Sequence, residues 1–188
     1  VLAGNIDRFK TPIIYVNQVG GHNDLIFDGN SCAINPNSKK VTDLKSFAED
    51  MRYIEFKNGE LIDTSEIAQS AETDDIGLIH DALVFGIKDY FNKMGFKSAT
   101  LGSSGGIDSA VVQALASRAL GAKNVFPVLM PSKFSSAGSV SDAEKLSENL
   151  QNPYVQIPIN DVYDSYIDTL SPQFEGKAFD VTEENLQA

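Results

Sequence analysis

The sequence has little cysteine and no long hydrophobic run. Its single cysteine, Cys32, can form no disulfide within the chain and offers no cysteine cluster to a metal, which fits a reducing compartment. No apolar stretch reaches the roughly 18 residues that a membrane-spanning helix needs, and the first residues have neither a charged leader nor a hydrophobic segment. We therefore expect a cytoplasmic protein without membrane contact.

Positive charge is also scarce. The chain has 26 acidic against 15 basic residues, a formal net charge of -11. Such a chain repels a phosphate backbone at long range, so we expect no nucleic-acid partner, and any bound phosphate must be held locally. A hydrophobic share of 42% is ordinary for a globular fold. The absence of an initial methionine and the uncapped final residues suggest a piece of a longer protein.

Isolated reactive side chains offer little chemistry. His22 and His80 are the only histidines, and they lack the spacing of metal ligands, so we expect both to be solvated. Cys32 has no histidine or lysine near it in sequence. We expect it to be a buried structural residue and not a nucleophile.

Short β-branched and aromatic runs, separated by turn residues, occupy the chain to about Leu61. They predict strands over 12–16, 25–27, 31–34 and 51–56. Residues 62–75 are polar and have no sustained apolar face, which is typical of a linker. We predict one domain over 1–61, a linker over 62–75 and a second domain over 76–188.

The hydrophobic period changes to that of helices from Ile76. Helices are predicted over 76–94, 107–120, 139–150 and 161–170, and strands over 98–102, 124–130 and 154–157. In the second of these helices we expect the apolar side chains to face inward, namely Ile107, Val111, Ala114, Leu115 and Ala119. The alternation predicts an α/β fold with a parallel sheet covered on both faces. Ligands then bind at the carboxyl ends of the strands.

One glycine-rich and serine-rich segment lies at such a strand end. Residues 102–109 read Gly-Ser-Ser-Gly-Gly-Ile-Asp-Ser, directly after a predicted strand and directly before a predicted helix. Gly105 and Gly106 permit positive φ and let backbone N–H groups converge on an anion, while Ser104 and Ser109 add hydroxyl donors. The amides at the start of the helix favour a pyrophosphate.

Asp108 is out of place beside a phosphate unless a cation lies between them, so we predict a Mg²⁺ ligand. The segment lacks the ending of a Walker A motif and the spacing of a dinucleotide fingerprint. The alternative is a plain turn with Asp108 as a helix N-terminal residue.

Lys133, at the next strand end, could meet a phosphate or ribose or lie in solvent. The candidate nucleotide-binding residues are Gly102, Ser103, Ser104, Gly105, Gly106, Ile107, Asp108, Ser109 and Lys133.

Residues 104–109 resemble the signature of the PP-loop ATP pyrophosphatases, which include NAD synthetases, GMP synthetases, asparagine synthetases and tRNA-modifying enzymes. Further stretches resemble glutamine-dependent NAD synthetases in their order and spacing. They are residues 81–90, 95–96, 130–136, 138–143 and 182–188. In the first half, 15–21 and 25–31 resemble the region that follows the nucleophile in nitrilase-type glutaminase domains.

The resemblance implies the closing portion of a nitrilase-like α/β/β/α sandwich, followed by a PP-loop (adenine nucleotide alpha hydrolase-like) fold. It implies ATP and Mg²⁺ as cofactors and the amidation of deamido-NAD, through an adenylated intermediate, by ammonia from glutamine. We also expect a homo-oligomer. Asn185 and Gln187 lie in a segment that approaches the substrate in the family.

The resemblance also implies that the chain alone is catalytically incomplete. The Glu, Lys and Cys of the family's glutaminase triad precede the matching region, so none of them is assigned here. A second acidic Mg²⁺ ligand and basic substrate-binding residues are expected further along than the chain extends. Two alternatives stay open: another PP-loop adenylating amidoligase, and a non-catalytic nucleotide-binding module. The acidic balance argues against a tRNA-modifying enzyme, and the nitrilase-like first half argues against a GMP synthetase.

Overall fold

The computed structural model describes residues 2–37, 40–64, 74–174, 181 and 185. The chain forms two compact units, unit 1 (Val1–Tyr90) and unit 2 (Phe91–Ala188). Most of the predicted linker lies outside the described residues, so the boundaries at 61 and 75 stay a prediction. No helix in the described ranges combines the length and apolar character that crossing a membrane requires.

Unit 1 consists of helices and antiparallel strands. Its elements are α1 (Leu2–Phe9), β1 (Ile13–Tyr15), β2 (Val19–His22), β3 (Leu25–Asp28), β4 (Cys32–Ile34), β5 (Lys40–Asp43), β6 (Ile54–Lys57), β7 (Glu60–Asp63) and most of α2 (Asp75–Met94). The strands form one sheet in the order β1-β4-β5 and two hairpins, β2-β3 and β6-β7. The β6-β7 hairpin turns at Asn58 and Gly59, both with positive φ, as a tight turn between twisted strands requires.

Four elements of unit 1 were not predicted: α1, β2, β5 and β7. In β2 the pair Gly20 and Gly21 suggests a turn, yet both residues pair with β3. The β7 strand begins one residue after Gly59 and includes Ile62, which the sequence prediction placed at the start of the linker. The Asn-Gly pair before it is a hairpin signal that could have revealed this strand.

Unit 2 alternates strands with helices, as predicted. Its elements are β8 (Ala99–Gly102), α3 (Ile107–Leu120), a 3-10 turn (Ala122–Asn124), β9 (Val125–Leu129), α4 (Ala137–Leu150), β10 (Val155–Gln156) and α5 (Asn160–Phe174). The strands pair in parallel in the order β10-β9-β8. Just before these strands, α2 ends at Met94 and is followed by Gly95, whose φ of 75° is that of a C-terminal glycine cap. The predicted parallel sheet is confirmed.

The inward face of α3 differs from the prediction. Ile107 and Val111 are 75% and 47% exposed, whereas the buried positions are Gln113 and Ala116. Apolar residues occur on all sides of this helix, so hydrophobic spacing does not define one face. The core of unit 2 includes strand β9, whose Val125 and Leu129 are buried.

Candidate phosphate-binding site

The 102–109 loop leaves the end of β8 and enters the first turn of α3. Gly105 has a φ of +79°, and a Cβ built on it would overlap the Ser139 carbonyl group in α4. Glycine is therefore required there for two reasons, the left-handed backbone and the close approach of α4. Gly106 has an extended backbone, with φ of -83°, and is the residue before the helix. Of the two glycines, Gly105 is the one that uses positive φ.

Unpaired main-chain donors collect at the end of this loop. Within the described part of the chain, no acceptor bonds the amides of Gly105, Ile107 and Asp108. The first amides of a helix have no partner in the helix itself, and together with the helix dipole they attract an anion. These three N–H groups are among the donors that a phosphate can use.

The loop's serines hold its shape. The Ser104 amide donates to Ser109 Oγ over 3.2 Å, and the two hydroxyl oxygens are 3.1 Å apart. Ser109 Oγ also donates to the Gly106 carbonyl, and the Gly106 amide donates to Ser104 Oγ. Part of the predicted donor set is thus engaged within the loop, whereas the amides of Gly105, Ile107 and Asp108 are not.

The cleft beside the loop has a volume of about 200 Å³. Its wall includes Ser104, Val128, Leu129, Met130, Ser139 and Val140. Since β8 and β9 are parallel neighbours, with Gly102 opposite Val128, their carboxyl ends open at the same edge of the sheet. The first turn of α4, capped by the Ser136 hydroxyl, closes the other side. The cleft combines an apolar wall with the loop's polar rim, which is the usual character of a ligand pocket.

Asp108 is exposed in the first turn of α3. Over the described residues, no group of three or more His, Cys, Asp or Glu side chains could hold a metal ion. The loop can therefore offer a metal ion one carboxylate ligand, that of Asp108. Mg²⁺ is commonly held by one or two carboxylates together with substrate phosphates and waters, so a lone aspartate beside a phosphate site is compatible with this ion.

Three candidate binding residues lie outside the 102–109 loop in the sequence, namely Lys133, Asn185 and Gln187. Lys133 Nζ is 3.3 Å from Asp164 Oδ1 and 4.4 Å from the centroid of the Tyr163 ring, so its charge already has partners on α5. Asn185 is exposed, and Gln187 lies outside the described residues. Nucleotide contact by Lys133 and substrate contact by Asn185 and Gln187 stay predictions.

The single thiol and the two histidines match the expectations. Cys32 is 9% exposed, and burial, with a smaller effect of the Asp43 charge, raises its thiol pKa. A raised pKa disfavours the thiolate that a nucleophile requires. His22 and His80 are both exposed, and His80 Nδ1 lies 2.9 Å from Asp81 Oδ1 on the surface.

Sequence reasoning missed the role of Gln113 behind the loop. Ser103, predicted as a nucleotide ligand, is 5% exposed, and its hydroxyl donates to Gln113 Oε1 over 3.0 Å. The Ser103 amide donates to the Val128 carbonyl. Both donors of Ser103 are therefore used inside the protein. A polar residue amid apolar ones in a helix was the available signal.

Residues 79–188 match the family model of NAD synthase. Over the whole chain, the sequence is 43% identical to a glutamine-dependent NAD(+) synthetase of Synechocystis sp., of which the match covers 34%. It is 39% identical over 96% of the chain to the enzyme of the same name from Acinetobacter baylyi, of which the match covers 33%. The chain spans about a third of the length of these relatives.

Solved structures of NAD synthetases resemble this one. The glutamine-dependent NAD+ synthetase of Acinetobacter baumannii, in complex with ADP, superposes with a TM-score of 0.92 at 36% identity. The match covers 100% of this chain and 35% of that one. The NH3-dependent NAD synthetase of Campylobacter jejuni, in complex with a nitrate ion, matches 61% of this chain and 48% of its own, with a TM-score of 0.53 at 31% identity.

Proposed function

The chain belongs to the NAD synthase family, and from this premise we propose that it is part of a glutamine-dependent NAD synthetase whose unit 2 binds ATP at the 102–109 loop. The observation that carries the proposal is the set of unbonded amides at Gly105, Ile107 and Asp108, in the same loop whose Gly102, Ser103 and Ser104 line the cleft. The ADP complex of the Acinetobacter baumannii relative supports a nucleotide as the ligand. The family match also favours this function over the other PP-loop amidoligases and over a non-catalytic module.

The reaction requires activation of a carboxylate, which is a poor electrophile. A nicotinate carboxylate oxygen of deamido-NAD attacks the α-phosphorus of ATP, and the bond to pyrophosphate breaks. Ammonia then attacks the acyl carbon and displaces AMP, with loss of a proton, to give the amide of NAD. Little covalent chemistry is left to the protein, so its contribution is to position the reactants and to stabilise the charge that grows on pyrophosphate.

The loop suits that contribution. The amides of Gly105, Ile107 and Asp108 would donate to phosphate oxygens, and the Ser104 and Ser109 hydroxyls can rotate from their present partners towards the ligand. The amides are held by the backbone before the ligand arrives, so only the two hydroxyls need to reorient. The apolar wall formed by Val128 and Met130 suits the flat base of a nucleotide.

Asp108 would hold Mg²⁺ from the protein side, and the ion would neutralise phosphate charge. Lys133 would contact the nucleotide only if its ion pair with Asp164 opened. Asn185 and Gln187 are proposed contacts for deamido-NAD. We infer these roles from the family resemblance.

The wider setting is also a proposal. Unit 1 would be the closing portion of a nitrilase-like glutaminase domain that supplies ammonia from glutamine. A homo-oligomer in the cytoplasm is the proposed assembly. Since the chain spans about a third of its relatives, we expect the 188 residues alone to bind ATP and to form no NAD from glutamine.

Titration calorimetry of ATP with and without Mg²⁺ tests the nucleotide site. In Asp108→Asn we expect Mg²⁺-dependent affinity to fall about tenfold, the scale of one charge-assisted contact. Asp161→Asn is the matched control, because Asp161 is likewise an aspartate in the first turn of a helix, α5. The affinity of this variant for ATP should change less than about twofold. Wild-type affinity that is indifferent to Mg²⁺, or an equal loss in both variants, would contradict the role of Asp108.

A further inference from the structure

A cluster of uncharged polar side chains lies buried behind the 102–109 loop. It comprises Ser103, Gln113, Ser117, Ser147 and Asn152, which we name the Gln113 network. Gln113 and Ser147 are 0% exposed, and Ser103 and Asn152 are 5% and 6% exposed. Ser117 is part-buried, and burying the other four polar side chains is costly unless each is hydrogen-bonded. The network therefore needs a compensating benefit.

The carboxamide of Gln113 is fully used. Its Oε1 accepts from the Ser103 hydroxyl over 3.0 Å. Its Nε2 donates to Ser147 Oγ over 3.1 Å and to Asn152 Oδ1 over 3.0 Å. One side of the amide must accept and the other must donate twice, so the group has a single orientation in this setting.

The far side of the network is anchored to the backbone. Ser147 Oγ donates to the Ala143 carbonyl one turn earlier in α4. Asn152 Nδ2 donates to Ser117 Oγ and to the Ala122 carbonyl over 2.8 Å. These partners belong to helices and a 3-10 turn, so they form a rigid base from which Gln113 reaches the loop.

Ser103 is the one residue of the network that belongs to the 102–109 loop. Its amide is fixed on β9 through the Val128 carbonyl and its hydroxyl on Gln113. It directly precedes Ser104, the first residue whose amide takes part in the loop's own hydrogen bonds. The loop also meets α4, at Gly105, which abuts the Ser139 carbonyl. Its turn is thus held from two directions.

We propose that Gln113 is a positioning residue: it fixes Ser103 and so sets the geometry of the amides that bind phosphate. The ligand in this statement rests on the proposed ATP-binding function, whereas the ordering of the loop does not. Gln113 does not touch the ligand, and its effect passes through Ser103. The network confers on this loop the rigidity that fixed donors require.

Ser103→Ala and Ser117→Ala test this role. Both remove one hydroxyl from the same network, but only Ser103 belongs to the loop, so Ser117→Ala controls for lost stability. Backbone order parameters of residues 104–106, measured by NMR without ligand, should fall in Ser103→Ala from the rigid value of about 0.85 towards 0.6. They should stay unchanged in Ser117→Ala. Weakening of ATP binding should be about tenfold in Ser103→Ala and less than about twofold in Ser117→Ala.

Gln113→Leu identifies the partner of Ser103. Adding Ser103→Ala to that background should change loop order no further, because the shared hydrogen bond is already absent. If Gln113→Leu does not fold, Ser103→Ala against Ser117→Ala decides. An unchanged loop in Ser103→Ala, or the same change in both serine variants, would overturn the proposal. A loosened loop in a chain whose wild type binds no ATP would leave the positioning role standing and refute the ATP site.

Discussion

Both units bury carboxamide side chains, and Asn35 of unit 1 and Gln113 of unit 2 have different roles. In unit 1, Asn35 is 6% exposed and bonds a single residue: its Nδ2 donates to the Leu61 carbonyl, and its Oδ1 accepts from the Leu61 amide over 2.7 Å. In unit 2, Gln113 joins two helices and the 102–109 loop. Asn35 fastens β7 beside the end of β4, whereas Gln113 supports a segment that faces a cleft. In the proposed account, Gln113 has a functional role because one of its hydrogen bonds holds Ser103 of the phosphate-binding loop, and Asn35 has no such contact.

The strands differ in the same way. Unit 1 pairs its strands in antiparallel fashion, so their ends point in alternating directions. Unit 2 pairs its strands in parallel, which brings the carboxyl ends of β8 and β9 to one edge. That edge carries the loop and the cleft, as expected for ligand sites of parallel sheets.

The largest expected effect is that of Gly105→Ala in unit 2. The new methyl group would collide with the Ser139 carbonyl, and its backbone would keep a φ of +79°. Since the clash is with main chain, the loop must move, and we expect ATP affinity to fall about a hundredfold or more, from the combined cost of overpacking and backbone strain. Titration calorimetry measures the loss.

Gly95→Ala is the control for backbone strain alone. Gly95 has a similar φ of +75°, with nothing within 4 Å of an added Cβ. It should lower stability by about 1 kcal/mol and leave ATP affinity unchanged. Equal affinities for Gly105→Ala and the wild type would mean that the loop's present shape is not the binding shape.

An intermediate effect, on unit 1 only, is expected for Asn35→Leu. The substitution keeps the side chain's approximate size but leaves the buried Leu61 amide and carbonyl without partners, at a cost of about 2 kcal/mol in unfolding free energy. Urea denaturation measures the cost, and hydrogen exchange locates it in β7. A weakened affinity for ATP in this variant would break the distinction between the two carboxamides.

The smallest effect concerns the pH dependence of unit 1. Burial acts to raise the pKa of Asp50, but hydrogen bonds from the Lys45 and Met51 amides and the nearby Arg52 charge outweigh it, so the pKa lies below its usual value. A lowered folded-state pKa adds stability above the unfolded pKa of about 3.9, and this stability is lost as pH falls through the folded pKa. Asp50→Asn should therefore destabilise the chain at pH 7 more than at pH 3. Thermal unfolding at both pH values checks this sign, and a pH-independent difference would refute it.

The sequence was sufficient to locate the loop but not its support. Gly105, Ser104 and Asp108 lie in a strand-to-helix segment whose chemistry is local, so residue type and order predict it. Gln113 is separated by 34 positions from Ser147 and by 39 from Asn152. Their association depends on how α3 packs on α4, which hydrophobic spacing did not define.

Unit 1 shows a second limit. Gly20 and Gly21 suggest a turn in isolation, yet they lie in β2, where backbone pairing with β3 and the Asp89 carboxylate, 2.8 Å from the Gly21 amide, determine their conformation. In unit 2, the strand-end position of Lys133 predicts that it meets a phosphate or ribose or lies in solvent, and its nucleotide contact stays a prediction. Its pairing with Asp164 and Tyr163 depends on α5, which is about thirty residues further along the chain.

The most direct test of the phosphate site is an NMR titration of the chain with ATP and Mg²⁺, observed at individual backbone amides. We expect the amides of Gly105, Ile107 and Asp108 to show the largest chemical-shift changes and to gain protection from exchange, because they acquire acceptors on binding. Unit 1 amides around Asn35 should stay unchanged. Binding that leaves those three loop amides unperturbed would contradict the assignment of the 102–109 loop as the phosphate site.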